Sequence, residues 1–101
     1  MRWNKLDADT CLTVKALILK KLRRRDYWGG KHTSIDNLKK GVKIHLRGDV
    51  PSIAEEMIKE GLLLHHPTGY GTQVSLNPQK KAEIDMIIKE ILGGEPEVND
   101  N

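Results

Sequence analysis

The chain has 101 residues and a formal charge of +3 at neutral pH; 38% of its residues are hydrophobic, 4% are aromatic and Phe is absent. That length fits one domain, and a core without Phe has to be assembled from Leu, Ile and Val, which suits thin layers of short helices better than a large sandwich. No apolar run approaches the roughly 18 residues needed to span a bilayer, and no apolar signal segment follows the basic, polar amino terminus, so the expectation is a soluble, cytoplasmic protein.

Residues 1–9 are polar apart from Trp3 and Leu6 and read as an arm that is ordered only if Trp3 docks. The domain is expected over residues 10–92. From Thr10, a suitable N-cap, the run Leu12, Val14, Ala16, Leu17, Ile18, Leu19 and Leu22 predicts a helix apolar on much of its circumference. Its end carries Lys20, Lys21, Arg23, Arg24 and Arg25, cations that suit the negative pole of the helix dipole. Cys11 is the only cysteine, which excludes an internal disulfide and a cysteine-rich metal knuckle; it reads as a small buried apolar residue. The paired glycines Gly29 and Gly30 break the chain.

A short second helix is predicted near Thr33, which with Asp36 has capping-box spacing, with Ile35, Leu38 and Val42 at helical intervals and Gly41 as its stop. Residues 42–47 alternate, Val42, Ile44 and Leu46 against Lys43, His45 and Arg47, and if extended would turn three basic groups to one side. Asp49 or Val50 can cap the third helix, with Pro51 in its first turn, an apolar stripe of Val50, Ile53, Ala54, Met57 and Ile58, and Gly61 as its end. The period then becomes strand-like over 62–66 and 72–76 around Pro67-Thr68-Gly69-Tyr70-Gly71, a β-hairpin signal. Asn77-Pro78 opens a last helix striped with Ala82, Ile84, Ile87, Ile88, Ile91 and Leu92, which Gly93-Gly94 stops; residues 93–101 read as an acidic, disordered tail.

Charge is unevenly divided. Residues 1–48 hold 13 Lys and Arg against 4 Asp, a net of +9, whereas residues 49–101 hold 4 Lys against 10 acids, a net of −6. Such asymmetry marks a surface suited to polyphosphate, the plainer reading being a solvated basic helix. The candidate phosphate contacts are Lys39, Lys40, Lys43, His45 and Arg47, with Arg23 to Arg25, Lys31 and His32 beyond the first helix. Tyr27 and Trp28 can stack on a base, but a Trp before two glycines reads better as a lid on the core.

Helix, short helix, turn, helix, hairpin and helix is an α+β, mainly helical order. The segment Ile53–Leu76, IAEEMIKEGLLLHHPTGYGTQVSL, resembles the third helix and wing of bacterial and archaeal winged helix-turn-helix regulators. As architecture the resemblance covers residues 10–92, and the chain is similar to small archaeal winged-helix proteins, whose roles are mostly unassigned. It implies a three-helix core, a two-stranded hairpin wing and a C-terminal helix, with the third helix in a DNA major groove and the wing on the backbone. By that analogy Ser52, Glu55, Glu56 and Lys59 form the exposed face of the third helix, and His65, His66, Thr68, Tyr70 and Gln73 are wing contacts. Counting Glu60, three acids on or near that face repel phosphate, so contacts are expected mainly from the second helix, the turn after it and the loop at 29–33. Gly69-Tyr70-Gly71 reads equally as a plain hairpin turn.

His65 and His66 are adjacent and in a strand point to opposite faces, so they cannot share a metal. No metal site, cofactor or catalytic constellation is expected, and the chain does not read as an enzyme. The expectation is a protein that binds double-stranded DNA and acts as a transcriptional regulator, the alternative being a protein- or RNA-docking module of a larger assembly. Surplus apolar surface on the first and last helices points to a homodimer.

Overall fold

The computed structural model describes residues 7–69 and 71–93. The arm around Trp3, Tyr70 and most of the acidic tail lie outside the described residues. Helix α1 spans Ala8–Arg24. Its N-cap is Asp7 rather than Thr10: the Asp7 carboxylate accepts the Thr10 backbone N–H at 2.8 Å. A carboxylate caps at least as well as a hydroxyl and also faces the positive pole of the helix, so the helix starts earlier than expected. That backbone hydrogen bond holds the Asp7 carboxyl below its ordinary range.

After α1, Asp26 adopts a left-handed φ of 60° and turns the chain toward the sheet. Trp28 makes an isolated parallel bridge to Leu76, with the Leu76 N–H donating to the Tyr27 carbonyl and the Gly29 N–H to the Leu76 carbonyl. Tyr27 and Trp28 are half-buried against the core, and the Arg23 guanidinium lies 5.8 Å from the centre of the Trp28 ring, which fits Trp28 as a lid.

Strand β1 (Thr33–Ser34) was not anticipated: Thr33 pairs with Val74 and Ser34 with Gln73. This places Thr33 in a ladder, and Ser34 becomes the N-cap of α2 (Ile35–Leu38), its hydroxyl accepting the Asn37 N–H at 3.2 Å. Thr33 instead accepts from the Asn37 amide at 3.0 Å, while Asp36 pairs with Lys39. A 3-10 turn over Lys39–Gly41 completes the element.

Of the alternating residues 42–47, only Val42 and Lys43 have extended backbone. Ile44–Asp49 winds into 3-10 helix, leaving Val42 buried, Leu46 half-buried and Ile44 78% exposed. Helix α3 (Val50–Lys59) follows with Pro51 in its first turn; Asp49 stands at the N-cap but makes no side-chain cap bond. Gly61, at φ +82°, takes the left-handed conformation that ends the helix and admits the strand.

Strands β2 (Leu63–Thr68) and β3 (Gly71–Leu76) form the hairpin, in register from Leu63 opposite Leu76 to Thr68 opposite Gly71. With β1 they make a three-stranded antiparallel sheet in the order β1-β3-β2, one strand more than predicted. Asn77 accepts the Gln79 N–H at 3.0 Å and opens a 3-10 turn that runs into α4 (Lys81–Leu92). Among the described residues the architecture is thus four α-helices and this one sheet, a small α+β fold.

One core joins these elements. Val14, Ile18, Leu19 and Leu22 of α1 meet Ile53 and Met57 of α3, Leu63, Val74 and Leu76 of the sheet, and Ile84 and Ile88 of α4. The apolar surplus of α1 is therefore largely satisfied inside the monomer; Cys11 is half-buried, and Leu12, Met86 and Ile91 remain exposed on α1 and α4. No helix among the described residues is long and apolar enough to cross a membrane.

The α1 and α4 helices are also clipped by charge. Arg23 donates from Nε to one Asp85 oxygen and from Nη2 to the other, and Lys81 Nζ reaches Asp85 at 3.0 Å. Burial raises the Asp85 pKa, but the hydrogen bonds and charges of Arg23 and Lys81 outweigh it and leave the carboxyl below its ordinary value of 3.8. Because the folded-state pKa is depressed, this stabilisation is present above the unfolded carboxylate range and is lost as pH falls through the folded value. Asp85→Asn should cost about 1 kcal/mol at pH 7. In urea melts the difference from wild type should close as pH drops below 3.8; a difference that persists there would show that the charge is not its source.

Candidate nucleic-acid interface

Among the described residues, cations outside any ion pair include those at the end of α1 and those over residues 40–47. At the end of α1, Lys21 donates to the Asn37 carbonyl, tying α1 to α2. Burial, followed by repulsion from Arg25 and Lys40, lowers the pKa of its ammonium. Arg25 and Lys40, 15 residues apart in sequence, therefore act on one point, and no carboxylate forms an ion pair with Lys21, Arg25 or Lys40 among the described residues. Sequence reading treated Lys21 as a dipole partner only and missed this junction, because it depends on α2 packing beside α1.

The other candidates differ in availability. Lys40, Lys43 and His45 are exposed. Arg47 is exposed as well, and its Nε donates to the Val42 carbonyl at 2.9 Å, which fixes the stem of the guanidinium. Lys39 is half-buried and lies 3.4 Å from Asp36, so much of its charge is answered locally. Arg23 uses its Nε and Nη2 on Asp85. Lys31 is exposed, with Nζ 5.3 Å from the centre of the Tyr27 ring and donating to the Arg25 carbonyl at 3.4 Å.

On α3 the structure redistributes the acids. Lys15 of α1 binds both Glu60 oxygens, at 2.9 and 3.1 Å, and Glu56, Asp49 and Glu60 all raise the pKa of the Cys11 thiol, after the larger effect of burial. Asp49, Glu56 and Glu60 thus face the amino-terminal half of α1. With Val50, Ile53, Ala54 and Met57 buried, helical geometry leaves Ser52, Glu55 and Lys59, all exposed, at the centre of the outward face. That face carries one acid and one base, a weaker barrier to phosphate than the three acids counted from the sequence.

On the hairpin, period-two alternation sets His66, Gln73 and Ser75 on the face opposite the buried Val74 and Leu76. His66 Nε2 lies 3.0 Å from Ser75 Oγ, His32 Nδ1 lies 2.8 Å from Gln73 Oε1, and the two imidazoles stack with centroids 4.5 Å apart. His65 is exposed on the other side, as adjacent strand residues must be. Thr68 donates to the Gly71 carbonyl at 2.7 Å, so its hydroxyl already closes the turn. Tyr70 lies outside the described residues. Ser75 and Gly29, which support His66, were missed by the sequence reading, although alternation alone places Gln73 and Ser75 on one face. Among the described residues no group of three or more His, Cys, Asp or Glu is close enough to hold a metal ion.

The structure thus places Lys21, Arg25 and Lys40 in one group and His32, His66 and Gln73 in another. Lys39 and Arg23 are drawn into ion pairs of their own. No known protein family, curated protein or solved structure matches this chain.

Proposed function

We propose that the chain is a winged helix-turn-helix domain that binds double-stranded DNA and serves as a transcriptional regulator. In this reading α2 and α3 form the helix-turn-helix, β2 and β3 the wing, and the end of α1 with residues 40–47 supplies the phosphate contacts. The observation that carries it is the Lys21 hydrogen bond to the Asn37 carbonyl, which holds the cationic end of α1 beside α2, so that Lys21, Arg25 and Lys40, none of them in an ion pair among the described residues, come from neighbouring elements. Each cation that meets a phosphate releases condensed counterion, so affinity from this cluster is sequence-independent and salt-sensitive. The outward face of α3, with Ser52, Glu55 and Lys59, has little to read bases with, so its contribution to specificity is small.

A titration of binding against salt, with a random duplex and a single-stranded RNA of equal length, tests this. The duplex should bind more tightly, with log K falling at a slope of roughly −3 to −5, as four or five phosphate contacts require. Tighter binding to RNA, or a flat salt response, would reject the duplex reading. A protein-docking role is the second reading, favoured by the cluster of Asp49, Glu56 and Glu60 beside α1; it predicts no nucleic-acid binding even at low salt. A homodimer through α1 and α4 would have Leu12, Met86 and Ile91 as its exposed apolar contacts.

A further inference from the structure

The stacked histidines have a proton pattern that can be worked out from their partners. Ser75 Oγ has one hydrogen and donates it to the Gly29 carbonyl at 2.7 Å, so in its contact with His66 Nε2 the imidazole is the donor. Gln73 Oε1 only accepts, so His32 Nδ1 donates to it. One nitrogen is left on each ring, Nδ1 of His66 and Nε2 of His32. A proton on either makes that ring a cation, and a neighbour stacked at 4.5 Å and 25° from parallel then disfavours a second charge.

Among the described residues no Asp or Glu carboxylate lies within 4.0 Å of a histidine nitrogen. The groups against the pair, Gln73 and Ser75 of β3 and the Gly29 carbonyl of the preceding loop, are neutral. Charged side chains on the neighbouring segments are engaged elsewhere: Lys31 with Tyr27 and the Arg25 carbonyl, Asp36 with Lys39. His32 is exposed and His66 half-buried, so an anion can approach from solvent.

We propose that the His32–His66 pair is a proton-coupled phosphate site, occupied by a backbone phosphate of the bound duplex, so that association takes up a proton. This rests on the DNA-binding reading, and it adds to the lysine contacts a component that depends on pH. The atoms balance simply: one proton moves from water or buffer to Nδ1 of His66 or Nε2 of His32, and the new N–H donates to a phosphate oxygen.

Calorimetry of duplex binding at pH 6.5, in buffers of differing ionisation enthalpy, counts the protons. Wild type should take up a measurable fraction of a proton per complex, as linkage requires of a site whose protonation binding favours. The double variant H32Q/H66Q should lose the uptake and still bind. Duplex binding by wild type without uptake, or uptake that persists in H32Q/H66Q, overturns the inference and leaves the DNA reading standing. Absence of duplex binding fails the DNA reading itself. The pair is then decided on the unaltered protein by following histidine ring resonances while adding inorganic phosphate: His32 and His66 should shift together and ahead of His45 and His65, and unmoved resonances would overturn the site.

Discussion

Replacing Lys40, Lys43 and Arg47 together with Ala should weaken binding to random duplex DNA by about 100- to 1,000-fold near 0.1 M salt and reduce the salt slope by roughly 2 to 3. The size follows from counterion release, in which each lost phosphate contact removes about 0.9 from the slope. These three are chosen because they are exposed and no ion pair occupies them among the described residues, whereas Lys39 is held by Asp36 and Arg23 by Asp85. The loss should be uniform across DNA sequences, since phosphate carries no base identity. Only Arg47 has a described structural bond, to the Val42 carbonyl, so the triple variant should melt within about 1 kcal/mol of wild type. Equal affinity and slope in wild type and variant, measured by fluorescence anisotropy, would show that DNA does not use this surface.

Leu19→Ala should destabilise the domain by about 2–5 kcal/mol, the range for truncating a fully buried Leu. Leu19 is 0% exposed in the core that α1 shares with α3, α4 and the sheet. A domain of this size has only about 5–15 kcal/mol of stability to begin with, so the variant loses a large fraction of it. At about 4–8 °C per kcal/mol, the melting temperature should fall by at least about 8 °C. Leu12→Ala, on the same helix but 40% exposed, is the internal comparison and should stay within about 1 kcal/mol of wild type. If the two variants melt alike, α1 does not pack through the face described.

Elements with a long apolar period were legible from the sequence. The α1, α3 and α4 helices and the hairpin lie where periodicity put them, because each has a stripe several residues long that one core can use. β1 was not legible, since a two-residue strand has no period and exists only through the pairing of Thr33 with Val74. The alternation at 42–47 did not show that the chain winds into a 3-10 turn from Ile44 onward, which leaves Leu46 half-buried and exposes Ile44. For the interface, the supply of cations could be read, but not which of them were answered. Lys39 with Asp36 is a local spacing, whereas Arg23 with Asp85 spans 62 residues and is visible only once α1 and α4 pack. The stacked histidines depend likewise on a ladder that aligns His66 with Gln73.

The strand order β1-β3-β2 leaves the well-formed strand β3 in the middle and the two weaker templates outside. One margin of the sheet is only two residues long, and the other carries Pro67, which has no N–H to offer an incoming chain. A second molecule seeking to lengthen the sheet therefore finds little to grip on either side. Growth of the sheet from one molecule to the next is thereby disfavoured at both margins.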